Sequence, residues 1–264
     1  MPVTFKPIAN GEKWAGASWV ITDEDALAKL IARVALGQSR HVAKILRDTG
    51  CADVIPSRTA YAGAREILTV ATGDKTFHRD GWLFQVISWV AANKQSPNDL
   101  IRAPQMIKAD KGFDGIHVRL VKNKGQIATV IICEEKATIN PRNKIVSDVW
   151  PDFESLEAGE RDNELVAAVT DMLAIGGVGE EVDEIVASIL WKEARSYRVS
   201  VTGREEHCTT DGLKRLFEGY EDKVAGNVAR RRAEVLRLDD TRKWLSGLAN
   251  KALAALDEIE AEHV

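Results

Sequence analysis

Two strand-like segments joined by a short turn constrain this chain more than any other feature. Residues 111–121 (Lys-Gly-Phe-Asp-Gly-Ile-His-Val-Arg-Leu-Val) read as one strand, and Lys122-Asn123-Lys124-Gly125 turns the chain. Residues 126–133 then run apolar into Glu134-Glu135-Lys136. A hairpin loop over 123–125, with Gly125 in the left-handed position, pairs residue 122 with 126. That register sets Asp114 opposite Glu134, where cross-strand neighbours lie about 5 Å apart. Side chains alternate along a strand, so Glu134 and Lys136 share one face while Glu135 points away. Two carboxylates and a lysine thus meet at the end of a buried hairpin, where like charges are costly without a compensating cation.

An acid, a β-hairpin and then acid-x-lysine on the second strand resembles the PD-(D/E)xK nuclease superfamily. More narrowly, Lys-Gly-Phe-Asp-Gly-Ile-His-Val at 111–118 and Ile-Cys-Glu-Glu-Lys-Ala at 132–137 resemble the HamA family. HamA is the nuclease of the Hachiman anti-phage system, encoded beside the superfamily-2 helicase HamB. The resemblance implies an α/β, restriction-endonuclease-like core: a mixed sheet flanked by helices, with extra helices at both ends. It also implies a metal-dependent DNA endonuclease, controlled by a HamB-like helicase partner. Two other readings stay open: a catalytically silent DNA-binding or assembly subunit, and a restriction or repair nuclease working alone. Glu221-Asp222-Lys223 also satisfies acid-x-lysine, but no apolar strand leads into it, and it reads as a solvated charge pair.

At 264 residues, with 45% hydrophobic and 29% charged residues, the chain can bury a substantial core. A net charge of -4 argues against coating nucleic acid by bulk electrostatics and leaves a local groove open. Between 101 and 150 there are nine Lys or Arg against five acids, whereas 152–184 is strongly acidic. Basic residues therefore cluster around the hairpin. Cys51, Cys133 and Cys208 have no paired spacing, which points to reduced thiols rather than a disulfide frame or a zinc site. The N-terminus lacks a signal-peptide pattern and no apolar run reaches membrane-spanning length, so the expected location is the cytoplasm, with no membrane partner.

Along the chain, residues 1–21 read as a short strand and loops. Asp23 caps a helix over 24–36, Gly37 separates it from a second helix reaching Asp48, and Pro56-Ser57 opens a third that Gly73 closes. The segment 80–93 is apolar all round and therefore a buried helix. After the hairpin, residues 140–143 read as a turn or loop, with helices over 162–175 and 181–193. Residues 196–202 form a strand rich in β-branched and aromatic residues, and the last third reads as helical. The whole of 1–264 is expected to be a single nuclease domain, with its core over 57–203 and additional helices over 24–48 and 209–262.

Phosphodiester hydrolysis needs a nucleophilic water and neutralisation of phosphate charge, both served by a hard cation. Mg²⁺, with Mn²⁺ able to substitute, takes oxygen ligands, few of them from protein. Asp114 and Glu134 supply carboxylates. By resemblance, the backbone carbonyl of Glu135 is a third ligand while its side chain matters little, so Glu135→Ala is expected to keep most activity. Lys136 stays cationic between carboxylates, orienting the water and offsetting charge. Glu66, on the third helix, is a further acid that the resemblance could bring to the metal. His117 should point away from it. Lys108, Lys111, Arg119 and Arg142 flank the site and could contact phosphates. Arg230-Arg231-Arg232, with the apolar stripe Leu245, Leu248, Ala252, Leu256 and Ile259, forms a candidate docking element for the helicase. No phosphate-cradling Gly-x-x-x-x-Gly-Lys-Ser/Thr occurs, so any ATP-driven step belongs to a partner.

Overall fold

The computed structural model describes residues 2–49, 55–71, 75–106, 112–120, 127–176 and 194–262. The chain opens with an antiparallel hairpin, β1 (Val3–Ala9) and β2 (Ala15–Ile21), closed by a turn in which Gly11 is left-handed. Asp23 then caps α1 (Glu24–Ala35), accepting from the Ala26 amide at 2.9 Å, and the left-handed Gly37 separates α1 from α2 (Ser39–Leu46). Ser57 caps α3 (Arg58–Leu68). The long α4 (Phe77–Gln95) is buried on nearly every side, as its apolar composition requires. There follow β3 (Leu100–Ile101), β4 (Gly115–Leu120) and β5 (Ile127–Lys136). An almost continuous helical stretch comes next, with α5 (Pro141–Lys144), a π-helical turn (Ile145–Val149) and α6 (Trp150–Ala158), and then α7 (Asp162–Ile175). β6 (Arg195–Gly203), short helical turns, β7 (Arg231–Arg237) and a C-terminal helix (Thr241–Ala261) complete the described chain.

Among the described residues, seven strands form one mixed sheet in the order β1-β2-β7-β6-β5-β4-β3. The central run β2, β7, β6 and β5 is parallel, and the antiparallel pairs lie at the two edges. On one face, α1–α4 and the C-terminal helix pack with Trp19, Leu83, Ile87 and Leu236. On the other, α5–α7 cover Ile116, Val130, Ile132, Val199, Val201 and Val235. Gly16 lets β2 close on β7, because a Cβ there would sit 1.8 Å from the Ala233 carbonyl oxygen. The expected architecture is present: a mixed α/β sheet with helices on both faces and at both ends.

Several elements differ from the sequence reading. Residues 1–21 form two strands, the second with Ala17 and Trp19 buried and Val20 exposed. Residues 141–144 are helical, since proline costs nothing in a first turn whose amides lack intrahelical partners. The third helix ends at Leu68 rather than running to Gly73. The largest correction is β7. A segment containing Arg231, Arg232 and Glu234 reads as a charged helix, yet it is a central strand, so the sheet is not confined to 57–203. The alternation is there: Ala233 and Val235 face one core, while Glu234 faces the other and is paired with Arg198 and Arg232. The helix expected over 181–193 and the loop over 122–125 lie outside the described residues.

Candidate active site at the end of the β4–β5 hairpin

The ladder between β4 and β5 runs from Gly115↔Cys133 to Arg119↔Thr129 and then shifts at Leu120↔Ile127. The 122↔126 pair lies outside the described residues, and the shift shows that the ladder does not run unbroken to it. At the site end the register is the expected one, and one step beyond Gly115 brings Asp114 level with Glu134. Burial of Ile116 and Val118 with Val130 and Ile132 in one core sets this phase, because a one-residue slip would turn each strand inside out.

Three expected residues meet there. Lys136 Nζ lies 2.7 Å from Glu134 Oε2 and 3.1 Å from Asp114 Oδ2. The site is screened from solvent, with Glu134 at 5%, Asp114 at 16% and Lys136 at 23% side-chain exposure. Burial, reinforced by the Asp114 charge, raises the Glu134 carboxyl to about 7 despite its ion pair with Lys136. Burial pulls Lys136 toward the neutral amine, but the charges of Glu134 and Asp114 outweigh it and raise its pKa, keeping it cationic.

Asp114 is held by more than lysine. Gln85 Nε2 on α4 donates to Oδ1 at 2.8 Å, and the Glu135 amide donates to Oδ2 at 2.9 Å. The Glu135 side chain points to the opposite face, as alternation requires, but it is not idle. It is buried, it accepts from the Ser88 hydroxyl, and it lies 4.0 Å from Arg198 Nη1. Arg198 pairs chiefly with Glu234, at 2.5 Å. Burial pushes the Glu135 carboxyl up to about 8, with Arg198 opposing. Gln85 and Ser88 are one helical step apart on the same face of α4. One face of α4 therefore holds both Asp114 and Glu135. These partners have a faint signature: they are polar exceptions in an apolar helix, and buried polar groups require partners.

No protein-family model, curated protein or solved structure matches this chain. The site has to be read from its own chemistry.

The opposite wall comes from the π-helical turn and α6. Asp152 adds a like charge that helps raise Glu134, and Lys136 helps to lower the Asp148 pKa, against burial and after the Lys144 and Ser147 hydrogen bonds. Single π turns often mark functional positions. Among the described residues no three Asp, Glu, His or Cys side chains form a metal-holding group. The site offers instead two carboxylates, with the Glu135 peptide beside them and a lysine between them. Such hard oxygen donors fit Mg²⁺, which keeps most of its shell as water or substrate oxygen.

The remaining candidates are placed differently. Glu66 is exposed on α3, which packs on α1 and the C-terminal helix. The helix that reaches the site is α4. His117 is buried beside Cys133, with Nε2 3.5 Å from Sγ, and burial together with nearby arginines lowers its pKa. Arg119 pairs with Asp99 at 2.9 Å, and Arg142 donates to the Leu216 and Glu218 carbonyls, so each serves the fold. Lys108 and Lys111 lie outside the described residues. The proposed docking element is also consumed internally. Arg230 bonds to the Arg195 and Ala225 carbonyls and to Glu157, and Arg231 bonds to the carbonyls of Glu12, Lys13, Val224 and Gly226. The stripe from Leu245 to Ile259 is core. No described helix is long and apolar enough to cross a membrane.

Proposed function

We propose that this chain is a metal-dependent DNA endonuclease of the PD-(D/E)xK type, acting in the cytoplasm in anti-phage defence of the HamA kind. The observation that carries the reading is the mutual contact of Asp114, Glu134 and Lys136 at the end of a buried hairpin. Asp114 and Glu134 would hold the cation through their side chains, with the Glu135 carbonyl as the third protein ligand. Mg²⁺ held there would supply Lewis acidity toward the phosphate and the attacking water. Gln85 and the Glu135 amide hold Asp114 in one orientation. Burial and the Asp114 charge raise the Glu134 carboxyl to about 7, so it would have to be ionised to hold the cation. Lys136 stays charged, orients the attacking water and offsets phosphate charge.

A nuclease without sequence specificity needs restraint, and a HamB-like helicase partner supplies it. Its docking surface is not the C-terminal stripe, which is buried. Cleavage of supercoiled plasmid and of single-stranded DNA tests the reading, with Mg²⁺, with EDTA, and in Glu134→Gln and Lys136→Met variants. Cleavage that requires the cation and is lost in both variants is expected. DNA binding without cleavage by the wild-type chain, with and without the partner, would favour the silent-subunit reading instead.

A further inference from the structure

Just beyond the carboxyl ends of the parallel strands β5 and β6 lies a surface hollow of about 420 Å³, a volume within the range of small-ligand sites. Asn140, Arg142, Asn143, Arg204, Glu206 and His207 line it. In open α/β sheets this end of the parallel strands is where ligands gather. We propose that the hollow binds the sugar–phosphate backbone of the substrate strand, a few nucleotides from the bond that is cut. The inference rests on the nuclease reading of the adjacent site.

The chemistry of the lining supports an anion with neutral polar neighbours. Arg204 is exposed, and among the described residues its guanidinium enters no ion pair. Arg142 is held by the Leu216 and Glu218 carbonyls, so it contributes a fixed charge at no ordering cost. His207 Nδ1 accepts from the Arg204 amide at 3.1 Å, which assigns the ring proton to Nε2 and makes that atom a donor. Asn140 and Asn143 add exposed amides. Glu206 is the one acid in the lining, and it lies 3.9 Å from His207. Guanidinium, amide and imidazole donors together suit contacts to phosphate and sugar, which position a strand without reading its sequence.

The floor of the hollow is rigid. The Thr138 amide donates to Thr202 Oγ1 at 2.9 Å, and Thr202 Oγ1 donates to the Thr138 carbonyl at 2.7 Å. Thr138 Oγ1 in turn accepts from the Asn140 amide at 3.1 Å. The chain leaving Lys136 is thereby tied to the end of β6 as it enters the hollow. Ile139, which also lines the hollow, stands three residues past Lys136, so at most about 11 Å of extended chain separates them. A strand rises about 3.4 Å per nucleotide, which places the hollow within about three nucleotides of the lysine.

The test uses the full chain and its Arg204→Gln and Asn143→Ala variants, with melting temperature as a folding control. Anisotropy of labelled single-stranded and duplex oligonucleotides in EDTA gives affinity and its salt dependence, and Mg²⁺-supported cleavage gives KM and kcat. For Arg204→Gln we expect affinity to fall about tenfold. The slope of log affinity against log salt should become shallower by about one. KM should rise while kcat at saturating DNA is kept. Wild-type cleavage with unchanged KM and salt slope in both variants would overturn the hollow and leave the nuclease reading standing. Variant-sensitive binding without any wild-type cleavage would do the reverse. Displacement of the oligonucleotide by inorganic phosphate at equal ionic strength would show a free-anion site rather than a strand site. Loss of polyglutamate binding with unchanged DNA affinity would assign the hollow to an acidic protein partner.

Discussion

Gln85 donates one hydrogen bond to Asp114, and its loss tests whether the clasp from α4 matters to the chemistry. Groups that orient metal ligands typically cost 10–100-fold in affinity or activity when removed. Gln85→Met should therefore lower cleavage by about that factor, with little change in melting temperature. Gln85→Glu offers a sharper readout. Ionised, the new carboxyl repels Asp114; protonated, it donates as the amide did. Relative activity of this variant should rise as pH falls, and a profile parallel to wild type would show that Gln85 only fills space. Glu135 makes a separate, thermodynamic prediction. Its carboxyl titrates near 4.5 when unfolded and at about 8 in the fold. Between those values the native state holds a proton that the unfolded state has lost, so stability falls as pH rises through this window. Glu135→Gln removes that dependence, and its melting temperature relative to wild type should be higher at pH 8 than at pH 5. Glu135→Ala, which strands the Ser88 hydroxyl while Arg198 keeps Glu234, should destabilise at both pH values by about 1–3 kcal/mol and lower activity with it. The sequence reading of Glu135 missed this because it followed alternation but not what waits on the far face. Asp114, Glu134 and Lys136 were legible because one hairpin brings them together. Their supporters Gln85 and Ser88 stand 29 and 47 residues away from their partners, on an element whose docking no local pattern reveals.

At the level of elements, what was legible depended on whether charge agreed with periodicity. The α4 helix and the β4–β5 hairpin are mostly apolar where they are buried, and they read correctly. β7 is charged where it is buried, and it did not. Its arginines are satisfied by Glu234 on the same strand and by carbonyls of Glu12, Val224 and Gly226 that only the assembled fold brings near. The C-terminal helix shows the converse, an apolar stripe that looks available for docking but faces α1 and α3. Arg65 of α3 ties it further, bonding Asp257 at 2.6 Å and Glu260 at 2.5 Å. Deleting residues 241–264 should therefore unfold the protein, with loss of the cooperative melt followed by circular dichroism. A truncated chain that still melts cooperatively would return the helix to the list of docking elements. Because α4 rather than α3 reaches the site, Glu66→Ala should change cleavage by no more than about twofold, the usual range of a surface substitution.

The topology of the whole molecule joins its two ends. β2, from the first 21 residues, lies parallel to β7, from the last 34, and β7 lies beside β6. Neither terminal segment is an appendage to the hairpin that carries the site, since β5 reaches β2 only through β6 and β7. The two cores also share strands: Val235 and Leu236 are neighbours in β7 but belong to opposite faces. Loss of either helical layer would expose one side of the same central strands, so the layers should stand or fall together. Tryptophans report on each side: Trp14 and Trp150 are buried under α5–α7, while Trp19, Trp82 and Trp89 are buried on the α4 side. Urea unfolding followed by tryptophan fluorescence, by far-UV circular dichroism and by loss of Mg²⁺-dependent cleavage should give superimposable transitions. Variants keeping fluorescence on one face only, Trp14→Phe/Trp150→Phe/Trp191→Phe against Trp19→Phe/Trp82→Phe/Trp89→Phe/Trp191→Phe/Trp244→Phe, should share one midpoint once each is referred to its own circular dichroism curve. Two separated midpoints would mean that the helical layers fold independently, and that the site could be lost while half of the molecule remains native.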